Sequence, residues 1–167
     1  MTGLIPNDAV AIGVGAVLGA TARYHAGRLC TDYIVAATAD PKKNAAFLQN
    51  LTGWHTAAIN IAGSFLLGGI SAAPVQSSKL ERVGLTPRLK LMLGVGFCGS
   101  FTTFSTYSVD VVNWIAANQG SKAALYVLTN NVGGLCAASL GMMMTFHDID
   151  AFECLVVEHR LTRASRA

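Results

Sequence analysis

The chain has 167 residues, of which 52% are hydrophobic and only 13% are Asp, Glu, Lys or Arg, against about 25% in a soluble domain. The formal net charge is +3. So little charge cannot clothe a soluble core of this size, which excludes a disordered chain, a charged-tail protein and an ordinary cytosolic enzyme.

The distribution of charge says more than its total. Residues 9–22, 44–78, 91–109 and 123–147 carry no Asp, Glu, Lys or Arg. A bilayer-spanning helix needs about 20 mostly apolar residues. Three of these windows suffice alone, and the first extends through Arg23 toward Cys30 if that side chain snorkels or faces protein. The pattern predicts one all-α integral membrane domain over 1–167, with four transmembrane helices. Their expected bounds are about 8–30, 56–75, 88–115 and 123–146. A very hydrophobic soluble bundle is the alternative, disfavoured because soluble helices keep charge on one face. Residues 1–8 have no basic run, so the first helix is expected to stay rather than be cleaved as a signal peptide.

In chain order, the first span is dotted with Gly13, Gly15, Gly19 and Gly27. The Gly15–Gly19 spacing puts two small residues on one face, as in closely packed membrane helices. A loop is expected after it, with Asp32, Asp40-Pro41 and Lys42-Lys43. The second span holds Asn60 one turn inside, with Gly63-Ser64 and Gly68-Gly69 as its small-residue face. A basic loop follows, with Lys79, Arg82, Arg88 and Lys90 against Glu81, and Pro87 suits the first turn of the third span.

The middle of the third span is unusual. Gly94, Gly96 and Gly99 are followed by hydroxyls at Ser100, Thr102, Thr103, Ser105, Thr106 and Ser108. Lipid-facing helices carry Leu and Ile there. The composition predicts a break in this helix, tolerated at membrane depth only when buried in protein or lining a cavity. The fourth span carries Asn130-Asn131 and Gly133-Gly134. Residues 147–167 form a charged tail, read as a short surface helix or as disordered.

Four spans leave both termini on one side. That side carries seven Lys and Arg, and the other carries four, with Arg23 at the border. Positive residues favour the cytoplasm, but this excess is small enough that insertion in both orientations stays open. No internal repeat is visible, so an inverted repeat would need a second copy of the chain.

Conventional chemistry is absent from the motifs. Gly94-Val95-Gly96-Phe97-Cys98-Gly99 spells GxGxxG, but inside a membrane window and without the strand–turn–helix setting a dinucleotide requires. Gly120-Ser121-Lys122 lacks the spacing of a phosphate loop. Cys30, Cys98, Cys136 and Cys154 show no metal or redox spacing and read as small buried residues. His25, His55, His147 and His159 are scattered near helix ends and read as solvated. No enzyme activity and no nucleic-acid partner is expected. What remains is the polar lining: Asn60, Thr102, Thr103, Ser105, Thr106, Asn130 and Asn131, read as a pore or binding site rather than as isolated interhelical hydrogen bonds. Asp110 ends the polar block. An acid at depth is a functional residue by default, whereas at the interface it is merely solvated. Arg23 likewise either snorkels or adds positive potential at a vestibule.

Gly96-Phe97-Cys98-Gly99-Ser100-Phe101-Thr102-Thr103-Phe104-Ser105-Thr106-Tyr107-Ser108 closely resembles the signature of the Fluc (CrcB) fluoride channels, G-F-C-G-G-x-T-T-F-S-T-F-S-x-E. Ile59-Asn60-Ile61-Ala62-Gly63-Ser64-Phe65-Leu66-Leu67-Gly68 is similar to that family's second-helix pattern, and Gly19-Ala20-Thr21-Ala22-Arg23-Tyr24 to its first. The resemblance implies an antiparallel, dual-topology homodimer in the cell membrane, with two pores that export fluoride. It implies a structural sodium ion at the dimer centre, held by the backbone carbonyls of Gly99 and Thr102 from each copy. Phe104 and Tyr107 fall on the two pore phenylalanines, Asn60 on the pore asparagine, and Asp110 on an acidic pore residue. Thr56 falls on the hydroxyl partner of that acid, Tyr126 on the helix-4 tyrosine, and Asn130 on the start of a polar track.

Four departures stand out. Tyr107 replaces a Phe, and its hydroxyl either narrows the pore or adds a ligand. Ser100 replaces a Gly. Asp110 is one methylene shorter than Glu. Gly134 and Cys136 stand where hydroxyls would continue the track. Two other functions compete with a fluoride channel. A proton-coupled small multidrug-type transporter would rely on Asp110, and a non-transporting membrane assembly subunit would use its polar residues only for packing.

Overall fold

A computed structural model describes residues 6–38, 53–75 and 84–164. The expected features at Asp40-Pro41, Lys42-Lys43, Lys79, Glu81, Arg82 and Arg166 lie outside the described residues. Within them the regular structure is helical, apart from an isolated bridge between Val75 and Leu85.

Helix α1 runs Pro6–Thr38 over 33 residues, past the expected end near Cys30. No Gly or Pro follows Gly27 before Pro41, and Ile34, Val35, Ala36 and Ala37 continue the apolar run. Asp32 is therefore not in a loop. It lies one turn beyond Arg28, 4.0 Å from its guanidinium. Helix α2, Trp54–Ala72, stops short of the expected Val75. Ala73 precedes Pro74 and is extended, with φ −58° and ψ 134°, because proline crowds helical geometry in its predecessor.

The third helical run has several parts. Thr86 caps α3, Pro87–Lys90, accepting from the Leu89 N–H, and Pro87 occupies the first turn as its fixed φ favours. The run continues without interruption as a π-helical stretch, Leu91–Cys98, and then α4, Gly99–Phe101. Thr102 and Thr103 are extended. Helix α5 begins beyond them, Phe104–Ala116. A tight turn through Asn118, left-handed with φ 57°, leads into α6, Gly120–Ala164. The tail is thus neither a separate helix nor irregular through 164, since 147–164 contains no Gly or Pro and is rich in helix formers.

Helix α1 packs chiefly on the π-helical stretch, and α2 on α6. Glycines make both contacts close. A Cβ on Gly15 would run into the Met92 carbonyl, one on Gly19 into the Phe97 carbonyl, and one on Gly68 into the Ala138 carbonyl. The face predicted by the Gly15–Gly19 spacing is therefore a backbone-to-backbone seam. Tyr126, Thr56 and Cys98 are the largest fully buried side chains. Cys136 is exposed on α6, against the expectation of burial, and Cys30 is half-buried. Large apolar side chains cover the outside, among them Val17 on α1, Val112 on α5 and Leu135 on α6. One stretch among the described residues, Gly120–Phe146, is long and apolar enough to cross a membrane by itself. The third run is divided into shorter segments at Thr102–Thr103.

Candidate functional site

The site grows from the two extended residues. Asn60, on α2, faces them and makes a reciprocal pair with Thr103. Its Oδ1 accepts the Thr103 N–H at 2.8 Å, and its Nδ2 donates to the Thr103 carbonyl at 3.2 Å. The same Nδ2 donates to Asn130 Oδ1 at 3.0 Å, which ties α2, the extended residues and α6 together. The Thr103 hydroxyl caps α5, accepting the Thr106 N–H at 3.2 Å and contacting the hydroxyls of Ser105 and Thr106 at 3.2 and 3.1 Å. Three residues of the hydroxyl block thus form the start of α5, with Thr103 as its buried cap.

These bonds release backbone acceptors. In an unbroken helix the Thr103 N–H would reach the Gly99 carbonyl and the Thr106 N–H the Thr102 carbonyl. Here they go to Asn60 and to the Thr103 hydroxyl. Arg23 reaches across from α1 and donates to the Thr102 carbonyl at 3.4 Å. Its guanidinium is half-buried beside the extended residues rather than snorkelling away.

Two open clefts meet at Thr103. The smaller, about 230 Å³, is lined by Asn60, Thr102, Thr103, Phe104, Tyr107, Asn130 and Asn131, among others. The larger, about 540 Å³, holds Arg23, Arg28, His55, Asp32, Thr103 and Thr106. With two guanidiniums against one carboxylate it is net positive. His55 is half-buried there, not solvated as its sequence position suggests.

Tyr126 closes the inner end of the site. Trp54 and Trp114 meet its ring edge-on, with centroids 5.6 and 4.5 Å away, and Tyr107 stacks on it at 5.5 Å. Its hydroxyl donates to Asp110 Oδ2 at 3.0 Å. Thr56 and Asn130 also approach that hydroxyl. The resemblance pairs Asp110 with Thr56, whereas its hydrogen-bonded partner is the Tyr126 hydroxyl.

The chain folds most of the expected site residues into these three adjoining groups. Ser105 is exposed and held to Thr103, and Gly99 is exposed. Trp54, Trp114, Arg28 and His55 were not legible as site residues. Their signal is aromatic or basic character at the ends of apolar windows, which interface anchoring explains equally well.

Among the described residues the chain is helical, with two extended residues latched beside polar clefts. Comparison with known proteins gives its family. Residues 10–142 match the family described as "CrcB-like protein, Camphor Resistance (CrcB)". The chain is 39% identical over 131 residues, 78% of its length, to a protein from Novosphingobium aromaticivorans named fluoride-specific ion channel FluC, covering 90% of that protein. It is 34% identical to a protein of the same name from Chlorobium phaeobacteroides, over 80% of this chain and 88% of the relative. The chain belongs to the CrcB family and is a membrane protein.

Proposed function

We propose that this protein is a passive, fluoride-selective channel that exports fluoride and lowers its concentration in the cytoplasm. The observation that carries the reading is its likeness to named fluoride-specific channels over most of both chains. It catalyses no reaction. Hydrogen fluoride crosses membranes neutral and ionises inside, so a negative-inside potential drives the anion out through a pore.

The physical demand is to replace hydration. Moving a bare small anion into a low-dielectric interior costs on the order of tens of kcal/mol. The hydroxyls of Ser105 and Thr106 offer weak donors, and Asn60, Asn130, Tyr126, Thr56 and Thr103 form the hydrogen-bonded wall behind them. Phe104 and Tyr107 offer ring edges, the positive rim of an aromatic quadrupole. Arg23 supplies positive potential in the larger cleft, and Asp110 orients Tyr126. Weak stations in sequence let an ion enter without trapping it.

The remaining parts of the reading concern assembly. Phe104 is 79% exposed on the isolated chain, and it lines the open smaller cleft. Polar groups facing hydrocarbon are costly, so an antiparallel second copy in the plasma membrane is the cover proposed, with all four helical runs spanning the lipid. The released Gly99 and Thr102 carbonyls suit an oxygen-seeking monovalent cation, with one lone pair of Thr102 left beside the Arg23 bond. Sodium bound there would add positive potential without a side chain that could capture the anion.

The test is reconstitution in potassium-loaded liposomes with valinomycin, reading fluoride and chloride efflux. Fast fluoride efflux without chloride efflux is the expected result. No efflux of either ion from demonstrably folded protein would overturn the channel reading and leave an assembly subunit as the alternative.

A further inference from the structure

The donors in the smaller cleft can be counted. Asn60 spends both amide protons, on the Thr103 carbonyl and on Asn130 Oδ1. Asn130 spends one on the Tyr126 carbonyl at 3.1 Å. Asn131 spends both, on the Val127 carbonyl at 2.7 Å and on the Tyr107 hydroxyl oxygen at 3.2 Å. Asn60, which falls on the pore asparagine of the resemblance, therefore has no proton free.

Tyr107 is different. Its hydroxyl oxygen accepts from Asn131, and among the described residues no acceptor takes its proton. The ring is held between Phe104 and Tyr126, both with centroids 5.5 Å away and tilted by 41° and 26°. Accepting a hydrogen bond makes a hydroxyl a better donor. An immobilised, polarised O–H lining the cleft is what a partly dehydrated anion needs.

We propose that the Tyr107 hydroxyl, positioned by Asn131, is the anion-coordinating donor of this cleft. The assignment rests on the fluoride-channel reading and adds to it. Asn131 becomes a positioning residue, and the departure from phenylalanine at 107 becomes a gained ligand rather than an obstruction. Asn60 is left as the latch that holds the extended residues.

Efflux from reconstituted full-length protein, measured across fluoride concentrations, tests this. Tyr107→Phe removes the donor, with a freed Asn131 proton as a partial stand-in, and should raise the half-saturating fluoride concentration about threefold. Asn131→Leu leaves the hydroxyl in place but unpositioned and should raise it by a similar factor. Tyr107→Phe combined with Asn131→Leu removes both donors and should raise the half-saturating fluoride concentration about tenfold, the weight of one hydrogen bond to an ion. Asn131→Asp, whose carboxylate would take the hydroxyl proton, should reduce efflux at low fluoride by a similar factor. That variant decides the matter if the double variant does not fold. Unchanged half-saturation in the double variant, or faster efflux in Tyr107→Phe, overturns the proposal while leaving the channel reading intact. Absence of fluoride efflux from the unaltered protein strikes the channel reading itself.

Discussion

Tyr126 and Asp110 show what a single hydrogen bond decides. Tyr126 is fully buried, and its hydroxyl has the Asp110 carboxylate as its acceptor. Asp110→Asn keeps an acceptor oxygen there, so the protein should unfold within a few degrees of its normal temperature and retain fluoride efflux within about threefold. Asp110→Ala leaves a buried O–H without that acceptor and should cost about 1–3 kcal/mol, read by thermal unfolding in detergent. A proton-coupled transporter would instead lose all transport in Asp110→Asn. The sequence marks both residues as polar groups near a window edge. It does not show that they meet, because that depends on the turn through Asn118 folding α6 back along α5.

At the scale of elements, glycine decides how closely helices approach. Gly15 and Gly19 lie against the Met92 and Phe97 backbone, whereas Gly13 has nothing within 4 Å of where a Cβ would be. Gly15→Ala or Gly19→Ala should force α1 off the π-helical stretch and lower the yield and unfolding temperature of folded protein. Gly13→Ala should be neutral or stabilising by up to about 1 kcal/mol, the helix preference of Ala over Gly. Comparable melting of all three variants would contradict the seam. The spacing of these glycines was legible in the sequence, as was Pro87 as a helix start. The length of α1 and of α6 was not. Charge marks where a membrane window ends, but a helix continues through charged residues until Gly, Pro or a competing cap stops it. The π-helical stretch had no distinct signal either, since its hydrogen-bond pattern is set by packing against α1.

For the whole molecule, the expectation of dual insertion comes from the family resemblance, with a difference in positive charge between the two sides small enough to allow it. With native thiols removed and one cysteine placed near the C-terminus, an impermeant reagent should label part of the population in intact cells and the remainder after lysis. Labelling confined to one side would count against an antiparallel pair.

The sequence by itself determined the class of protein. Charge-free windows compel helices in a membrane, and the hydroxyl block with its flanking asparagines marked the candidate site. The tertiary structure alone decided how those residues divide the work. Asn60 pairs with backbone 43 positions away, Asp110 with Tyr126, and Tyr107 with Asn131 across two helices. A hydrogen-bonding side chain has several partners it could satisfy. Which one it takes, and so which proton is left free for an ion, is settled only when the helices are brought together.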